Sequence, residues 1–244
     1  MDEVSIQRDY FSKSARDYDT THSDRDDHGM ALAWLESLFQ YCSFESCLEI
    51  GAGTGRHLVQ LQRRFPGARL VGIEPVEAMR QQAYAKGIPH DMLVDGDGYN
   101  LQFPGESFDI VAEFAVLHHV RSPERVISEM LRVARRAIFI SDSNNFGHGR
   151  WLARHVKIAL RRLSLWSAFD WIRSGGKRYY VSAGDGVAYS YSVFNNLKQI
   201  TDGCPGGVFV LNVAPLDGPA TPDLLFSAAT MALLGLKMPM QALG

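Results

Sequence analysis

The 244-residue chain predicts an α/β fold. The expected form is a doubly wound, seven-stranded, mostly parallel sheet with an N-terminal helical lid and a helical insertion after the fifth strand. Three observations carry this. From Ser46 to Ser141, short apolar runs alternate with stretches of helical spacing, the pattern of a parallel sheet covered on both faces by helices. The first run, Cys47–Ile50, passes directly into Gly51-Ala52-Gly53-Thr54-Gly55, a strand-to-helix turn in which glycines let the backbone bend sharply and approach a ligand. The alternation then breaks after Asp142 and resumes near residue 187. One domain spans 1–244: a lid at 1–45, a binding core at 46–142, an insertion at 143–186, and strands that complete the sheet at 187–244.

Each element has its own signal. Leu32, Leu35, Leu38 and Phe39 share one face of a helix from Gly29 to Tyr41. Ser46–Ile50 is a strand, and Arg56–Phe65 a helix stopped by Pro66-Gly67. Arg69–Glu74 is a strand and Val76–Ala85 a helix; His90–Val94 is a strand before the loop Asp95–Gln102. Phe108–Leu117 is a strand, Pro123–Val133 a helix, and Ala137–Ser141 a strand. Within the insertion a helix is expected near Arg150–Ile172, ahead of Gly175-Gly176. Ala188–Ser192, a helix near Val193–Ile200, and the strand-like runs Val208–Val213 and Thr230–Leu236 follow, the last strand antiparallel.

Composition excludes several classes. A net charge of -2 gives no global electrostatic case for binding nucleic acid. The three cysteines (Cys42, Cys47, Cys204) are scattered and match no zinc or iron–sulfur spacing. The opening Met1-Asp2-Glu3 is acidic where a secretory signal would be basic, and no apolar run approaches the ~20 residues of a membrane span. These features point to a soluble, cytoplasmic protein.

The glycine loop narrows the ligand. A dinucleotide site wants G-x-G-x-x-G, whereas here Arg56 takes the place of the third glycine. Glu74 ends the second strand-like run, where a carboxylate can accept both hydroxyls of a ribose. Asp97-Gly98 follows the third run, with Asp95 as a competing acid nearby, and Asp109, a structural residue at the strand entry, begins the fourth. From about Tyr10 to Ile140 the chain resembles the class I S-adenosylmethionine-dependent methyltransferases, most closely their small-molecule group related to the ubiquinone-biosynthesis methyltransferases. The resemblance fades from residue 143. It implies S-adenosylmethionine as cofactor, with Gly51, Ala52, Gly53 and Gly55 against its methionine and ribose portions. It implies that Glu49 lies beneath the loop and helps hold the amino group, and that Glu74 grips the ribose. Pro75 and Met79 would lie against the adenine, with Asp97 and Gly98 reading its edge. Phe114-Ala115 would offer a carbonyl to the ammonium, and Tyr18 would cover the cofactor from the lid segment Tyr10–Tyr18.

The implied activity is methyl transfer to an oxygen or nitrogen of a small-molecule acceptor in a biosynthetic pathway. A non-catalytic S-adenosylmethionine-binding scaffold and a nicotinamide-dependent reductase are the alternatives. Candidate acid–base groups are His118, His119, His148 and Asp142, the last two at the carboxyl edge after the fifth strand. The histidines lack a metal-ligand set, and no metal is expected. Glu113-Phe114-Ala115-Val116 lacks the proline-containing tetrad of amino-methylating enzymes that act on nucleobases or glutamine, which argues against those acceptors.

Substrate identity is expected to lie in the insertion. Residues 150–178 hold eight Lys/Arg and one acid, Asp170. Arg150, Arg154, Lys157 and Arg161 align on one helical face; Leu152, Val156, Ala159, Leu163 and Trp166 take the other. Three readings stay open: a solvated basic face, a recess for an anionic acceptor, and peripheral contact with an acidic membrane surface or a partner helix. Tyr189 and Tyr191 share one strand face and either line the acceptor pocket or fill a core. Self-association is compatible with all of this.

Overall fold

The computed structural model describes residues 2–21, 28–213 and 224–239. Three helices precede the sheet: α1 (Glu3–Ser14), α2 (Tyr18–Thr21) and α3 (Gly29–Tyr41). Asp2 caps α1 by accepting from the Ser5 N–H. The apolar stripe of α3 buries Leu32, Leu35, Leu38 and Phe39, as its spacing requires.

Strands of a parallel sheet are covered on both faces, so they read as continuous apolar runs. β1 (Ser46–Ile50) is buried at every position, and the chain continues through α4 (Arg56–Arg64), β2 (Arg69–Ile73), α5 (Glu77–Ala85) and the two-residue β3 (Leu93–Val94). β4 (Phe108–Phe114) is also wholly buried; α6 (Pro123–Val133), with proline in its first turn, leads into β5 (Ala134–Ser143). Beyond the sheet core come α7 (Trp151–Arg162), α8 (Trp166–Arg173) and the hairpin β6–β7 (Tyr179–Ser182, Gly186–Tyr189). α9 (Leu197–Gly203), β8 (Gly207–Asn212), α10 (Leu224–Ser227) and β9 (Thr230–Leu236) complete the chain. The seven-stranded sheet has the order β3-β2-β1-β4-β5-β9-β8. β9 runs antiparallel to both β5 and β8.

Several expected boundaries move, each for a local reason. His90–Val94 shortens to β3 because the Met92 and Leu93 N–H groups fold back onto the Pro89 carbonyl. β4 ends at Phe114 because Ala115 turns the chain with φ 60°, and Leu117–His119 forms a 3-10 turn. The helix expected over 150–172 is two helices, broken where Ser164 adopts φ 58°. The segment 188–192 does not extend the main sheet: β7 pairs only with β6. The helix expected over 193–200 is a 3-10 turn (Val193–Asn195) followed by α9.

Candidate functional site

The strand order reverses between β1 and β4. Ligands of open α/β sheets bind beyond the carboxyl ends of the strands at such a switch point. There the chain encloses a cavity of about 410 Å³. Its walls come from successive strand ends: Gly51 and Gly53 after β1, Glu74 and Pro75 after β2, Asp97 and Gly98 after β3, Phe114 and Ala115 at β4. Met79 closes one side from α5, and α1 with its following turn supplies a cover that includes Phe11 and Tyr18.

The glycine loop divides its work. Gly51, Gly53 and Gly55 all have positive φ, at 64°, 57° and 73°. A Cβ on Gly51 would stand 2.5 Å from Val116 Cγ2, and one on Gly55 would stand 2.2 Å from Ile88 Cδ1. On Gly53 the nearest atom would be Met79 Cε at 3.5 Å, so that face is open. Gly55 therefore serves helix packing and does not reach the cavity. Ala52 does not reach it either; its N–H donates 3.0 Å to the Ile73 carbonyl.

Glu74 is 6% exposed; its carboxylate accepts from the Gly53 N–H at 3.0 Å and from the Val76 N–H at 2.8 Å. Each oxygen keeps a further lone pair for a ligand hydroxyl. Burial raises its pKa to about 7 against those two N–H groups. Because the folded value lies above the ordinary 4.5, its stabilising contribution is complete below pH 4.5 and is lost as pH rises to about 7. That loss is roughly 3 kcal/mol. Thermal unfolding of the ligand-free protein between pH 5 and 8 should show a falling stability that Glu74→Gln flattens; an unchanged slope in the variant would refute this role.

Glu49 lies one layer beneath the loop, 2% exposed, with Oε1 2.7 Å from His57 Nδ1. Its Oε2 is buried and has no partner among the described residues, so it can still accept from a donor. Asp97 and Asp95 separate cleanly. Asp97 lines the cavity and accepts from the Tyr99 N–H at 2.9 Å, whereas Asp95 turns outward onto Arg80 at 2.6 Å. Among the lid aromatics, Phe11 and Tyr18 reach the cavity, with ring centroids 6.1 Å apart; Phe11 lies 5.6 Å from His119.

Of the four candidate acid–base residues, only His119 lines the cavity. Its Nδ1 lies 2.6 Å from the Val187 carbonyl, which can only accept, so Nδ1 donates, and its Nε2 faces the Asp185 carboxylate at 3.4 Å. His118 stands behind it, with Nδ1 2.7 Å from Asp142 and Nε2 3.4 Å from Asp185. Burial opposes the imidazolium, but the Asp142 and Asp185 carboxylates outweigh it and lift His118 to about 10. Asp142 is fully buried; burial works against its charge, yet His118 and the Ser143 N–H hold it below its ordinary value. It also accepts from the Leu117 N–H at 2.7 Å, tying the 3-10 turn to the end of β5. His148 lies apart from the cavity, 3.3 Å from Ser143 Oγ.

Two members of this network carry little sequence signal. Asp185 sits at the β6–β7 turn, in Gly184-Asp185-Gly186, where turn chemistry explains it locally. Glu113 is hidden in an apolar strand; burial first and then Asp142 push its carboxyl well above the ordinary range. His118, His119 and Asp185 bring side-chain nitrogen and carboxylate oxygen atoms within 4.8 Å of one another, the acid arriving from the distant hairpin.

Of the three readings of the basic segment, a recess at this cavity is the one the structure does not build. Among the described residues none from 150–178 lines the cavity; its cations are Arg8 and Arg121. The two tyrosines separate as well: Tyr189 lines the cavity, and Tyr191 is 3% exposed within the core.

Comparison with known proteins agrees with this geometry. Residues 48–139 match the family model described as a methyltransferase domain. Phosphatidylethanolamine N-methyltransferase of Cereibacter sphaeroides is 30% identical over 131 residues, covering 47% of this chain and 58% of that protein. Demethylmenaquinone methyltransferase of Roseiflexus castenholzii is 32% identical over 129 residues, covering 51% and 54%. The chain thus spans little more than half the length of these curated relatives. Magnesium protoporphyrin IX methyltransferase of Synechocystis, solved with bound SAH, superposes with a TM-score of 0.58 at 19% identity, covering 97% of this chain and 100% of that one. At that identity the likeness is one of fold.

Proposed function

We propose that this chain, whose residues 48–139 match a methyltransferase-domain family model, is a class I S-adenosylmethionine-dependent enzyme that moves a methyl group from that cofactor to an oxygen or nitrogen of a small-molecule acceptor. The observation that carries this reading is the cavity itself. Its walls combine the Gly51–Gly53 loop, Glu74 and Asp97, which suit a ribosyl-purine ligand, with His119, Val120, Arg121 and Tyr189 under the α1 cover, which would face a second molecule.

S-Adenosylmethionine, when bound, supplies a methyl group already activated on a sulfonium. The chain's own residues orient, shield and take up a proton. Glu74 would accept from the ribose hydroxyls through its free lone pairs, and Asp97 and Gly98 would face the adenine edge. The orphaned Glu49 Oε2 is suited to an ammonium or a bridging water. Phe11 and Tyr18 would exclude solvent. His119 is the candidate acid–base residue that lines the cavity, and Asp185 beside its Nε2 would stabilise an imidazolium there. His118, which already holds its proton, acts as a fixed positive post that keeps Asp185 in place. Arg8 and Arg121 favour an acceptor that carries an anionic group. An acceptor from a cytoplasmic biosynthetic route is consistent with these features.

The test is transfer of labelled methyl from S-adenosylmethionine to members of a metabolite panel, with His119→Ala alongside. The variant should lower kcat by about 100-fold or more while S-adenosylhomocysteine binding changes less than about twofold. Full activity in the variant would remove His119 from the reaction. Cofactor binding without transfer to any acceptor would favour a scaffold.

A further inference from the structure

The hairpin of α7 and α8 is folded with its polarity reversed. An amphipathic helix on a protein surface normally turns its apolar stripe inward. Here the charged residues turn inward and are satisfied by the protein. Arg154 is 9% exposed and donates 2.6 Å to the Gly149 carbonyl. Lys157 donates to the carbonyls of Asn145 at 2.6 Å and His148 at 3.1 Å. Arg161 donates 2.9 Å to Asn195 and lies 4.7 Å over the Phe146 ring. Asp170 is buried and accepts from the Tyr180 hydroxyl at 2.9 Å.

Apart from Ile158, which is buried, and Leu160 and Trp166, which are half-buried, the large apolar residues of the two helices face out. On α7, Trp151 is 68% exposed, Leu152 65% and Val156 49%, with Leu163 just beyond the helix at 66%. Leu165, Phe169 and Ile172 follow helical spacing through α8 at 50%, 40% and 70%, with Trp171 at 51%. The sequence pattern shows two faces on these helices, and the structure turns most of the apolar one outward.

Within residues 150–178 the exposed charge is of one sign. Arg150, Arg162, Arg173, Lys177 and Arg178 are exposed, and the one acid among residues 150–178 is the buried Asp170. Tryptophan and long aliphatic side chains ringed by arginine and lysine suit the boundary between lipid headgroups and acyl chains. No helix among the described residues is long and apolar enough to cross a membrane, so the contact would lie in the surface plane. A two-fold dimer through the same face would set these cations against their own copies, whereas an anionic surface complements them.

We propose that α7 and α8 form an interfacial docking hairpin for a membrane surface rich in anionic phospholipid. The apolar face inserts at the headgroup boundary and the flanking arginines and lysines engage lipid phosphates. This stands apart from the reading of the cavity, because no residue of 150–178 lines it.

The experiment is co-sedimentation of the full chain with vesicles of phosphatidylcholine alone and of phosphatidylcholine with phosphatidylglycerol, at low and high salt. The wild type should bind the anionic vesicles at least about tenfold more tightly than neutral ones, and high salt should weaken that binding. The double variants Leu152→Glu with Val156→Glu, and Phe169→Ser with Ile172→Ser, should each reduce binding by tenfold or more while retaining S-adenosylhomocysteine binding. Light scattering is run in parallel. Failure of the wild type to bind anionic vesicles, variants that bind as well as the wild type, or a dimer dissolved by the same substitutions would each overturn the proposal.

Discussion

Asp142→Ala is expected to cost about 3–5 kcal/mol of folding stability, the largest effect of any side chain around the site. Asp142 is fully buried and is the counter-charge of a buried imidazolium, with His118 Nδ1 2.7 Å away. It also accepts from the Leu117 N–H at 2.7 Å, the His118 N–H at 3.3 Å and the Ser143 N–H, so four donors lose an acceptor together. Removing one partner of a buried pair strands the other, which is costlier than never having built the pair. His118 should answer by losing its proton, and its pKa should drop far below about 10 because burial then acts with less opposition. Urea unfolding gives the free energy, and the histidine C2–H resonance followed against pH gives the titration. A loss below about 1 kcal/mol, or an unmoved His118 titration, would show that Asp142 does not hold the network.

Gly53→Ala should separate folding from ligand binding. The added methyl meets nothing closer than Met79 Cε at 3.5 Å, so the protein interior can accept it. The backbone at φ 57° makes alanine cost about 1 kcal/mol, a strain that leaves a protein of ordinary stability folded. The methyl would, however, enter the cavity beside Glu74, where space is needed for a ligand. Overpacking of this kind typically costs 1–3 kcal/mol, so S-adenosylhomocysteine affinity should fall about 10- to 100-fold with the thermal transition still cooperative. Gly51→Ala cannot make the same distinction, because its Cβ would stand 2.5 Å from Val116 Cγ2 and would disturb the fold as well. Unchanged affinity in Gly53→Ala would mean that the loop does not face the cofactor.

The part of the molecule from β1 to β5 was readable because both of its constraints are local. Strands covered on two faces must be continuous apolar runs, and a sharp strand-to-helix turn against a ligand must use glycine. The position of Glu74 at a strand end followed from the same periodicity. Glu113, Asp142, His118 and Asp185 could not be assembled that way. Asp142 meets His118 because β4 and β5 lie side by side in register, with Phe114 opposite Ser141, and Asp185 arrives from a hairpin outside that sheet. Contacts set by register and by a distant turn leave no local periodic trace.

The insertion shows a different limit. Its helical spacing separated cations from apolar residues correctly, yet a two-faced pattern does not say which face is turned inward. Carbonyls of Gly149, Asn145 and His148 capture Arg154 and Lys157, and that decides the orientation. The expected single helix likewise gave way at Ser164, where positive φ ends α7 and starts the return. The arginines that do line the cavity, Arg8 and Arg121, come from α1 and from the loop after β4.

The cavity at the β1/β4 switch point is expected to hold S-adenosylmethionine. Calorimetric titration of the wild-type protein with S-adenosylhomocysteine, run beside NADH as a competitor ligand, tests it most directly. Saturable one-site binding of S-adenosylhomocysteine, with no detectable heat from NADH, is the expected result. Absence of S-adenosylhomocysteine binding, or a preference for the dinucleotide, would contradict it.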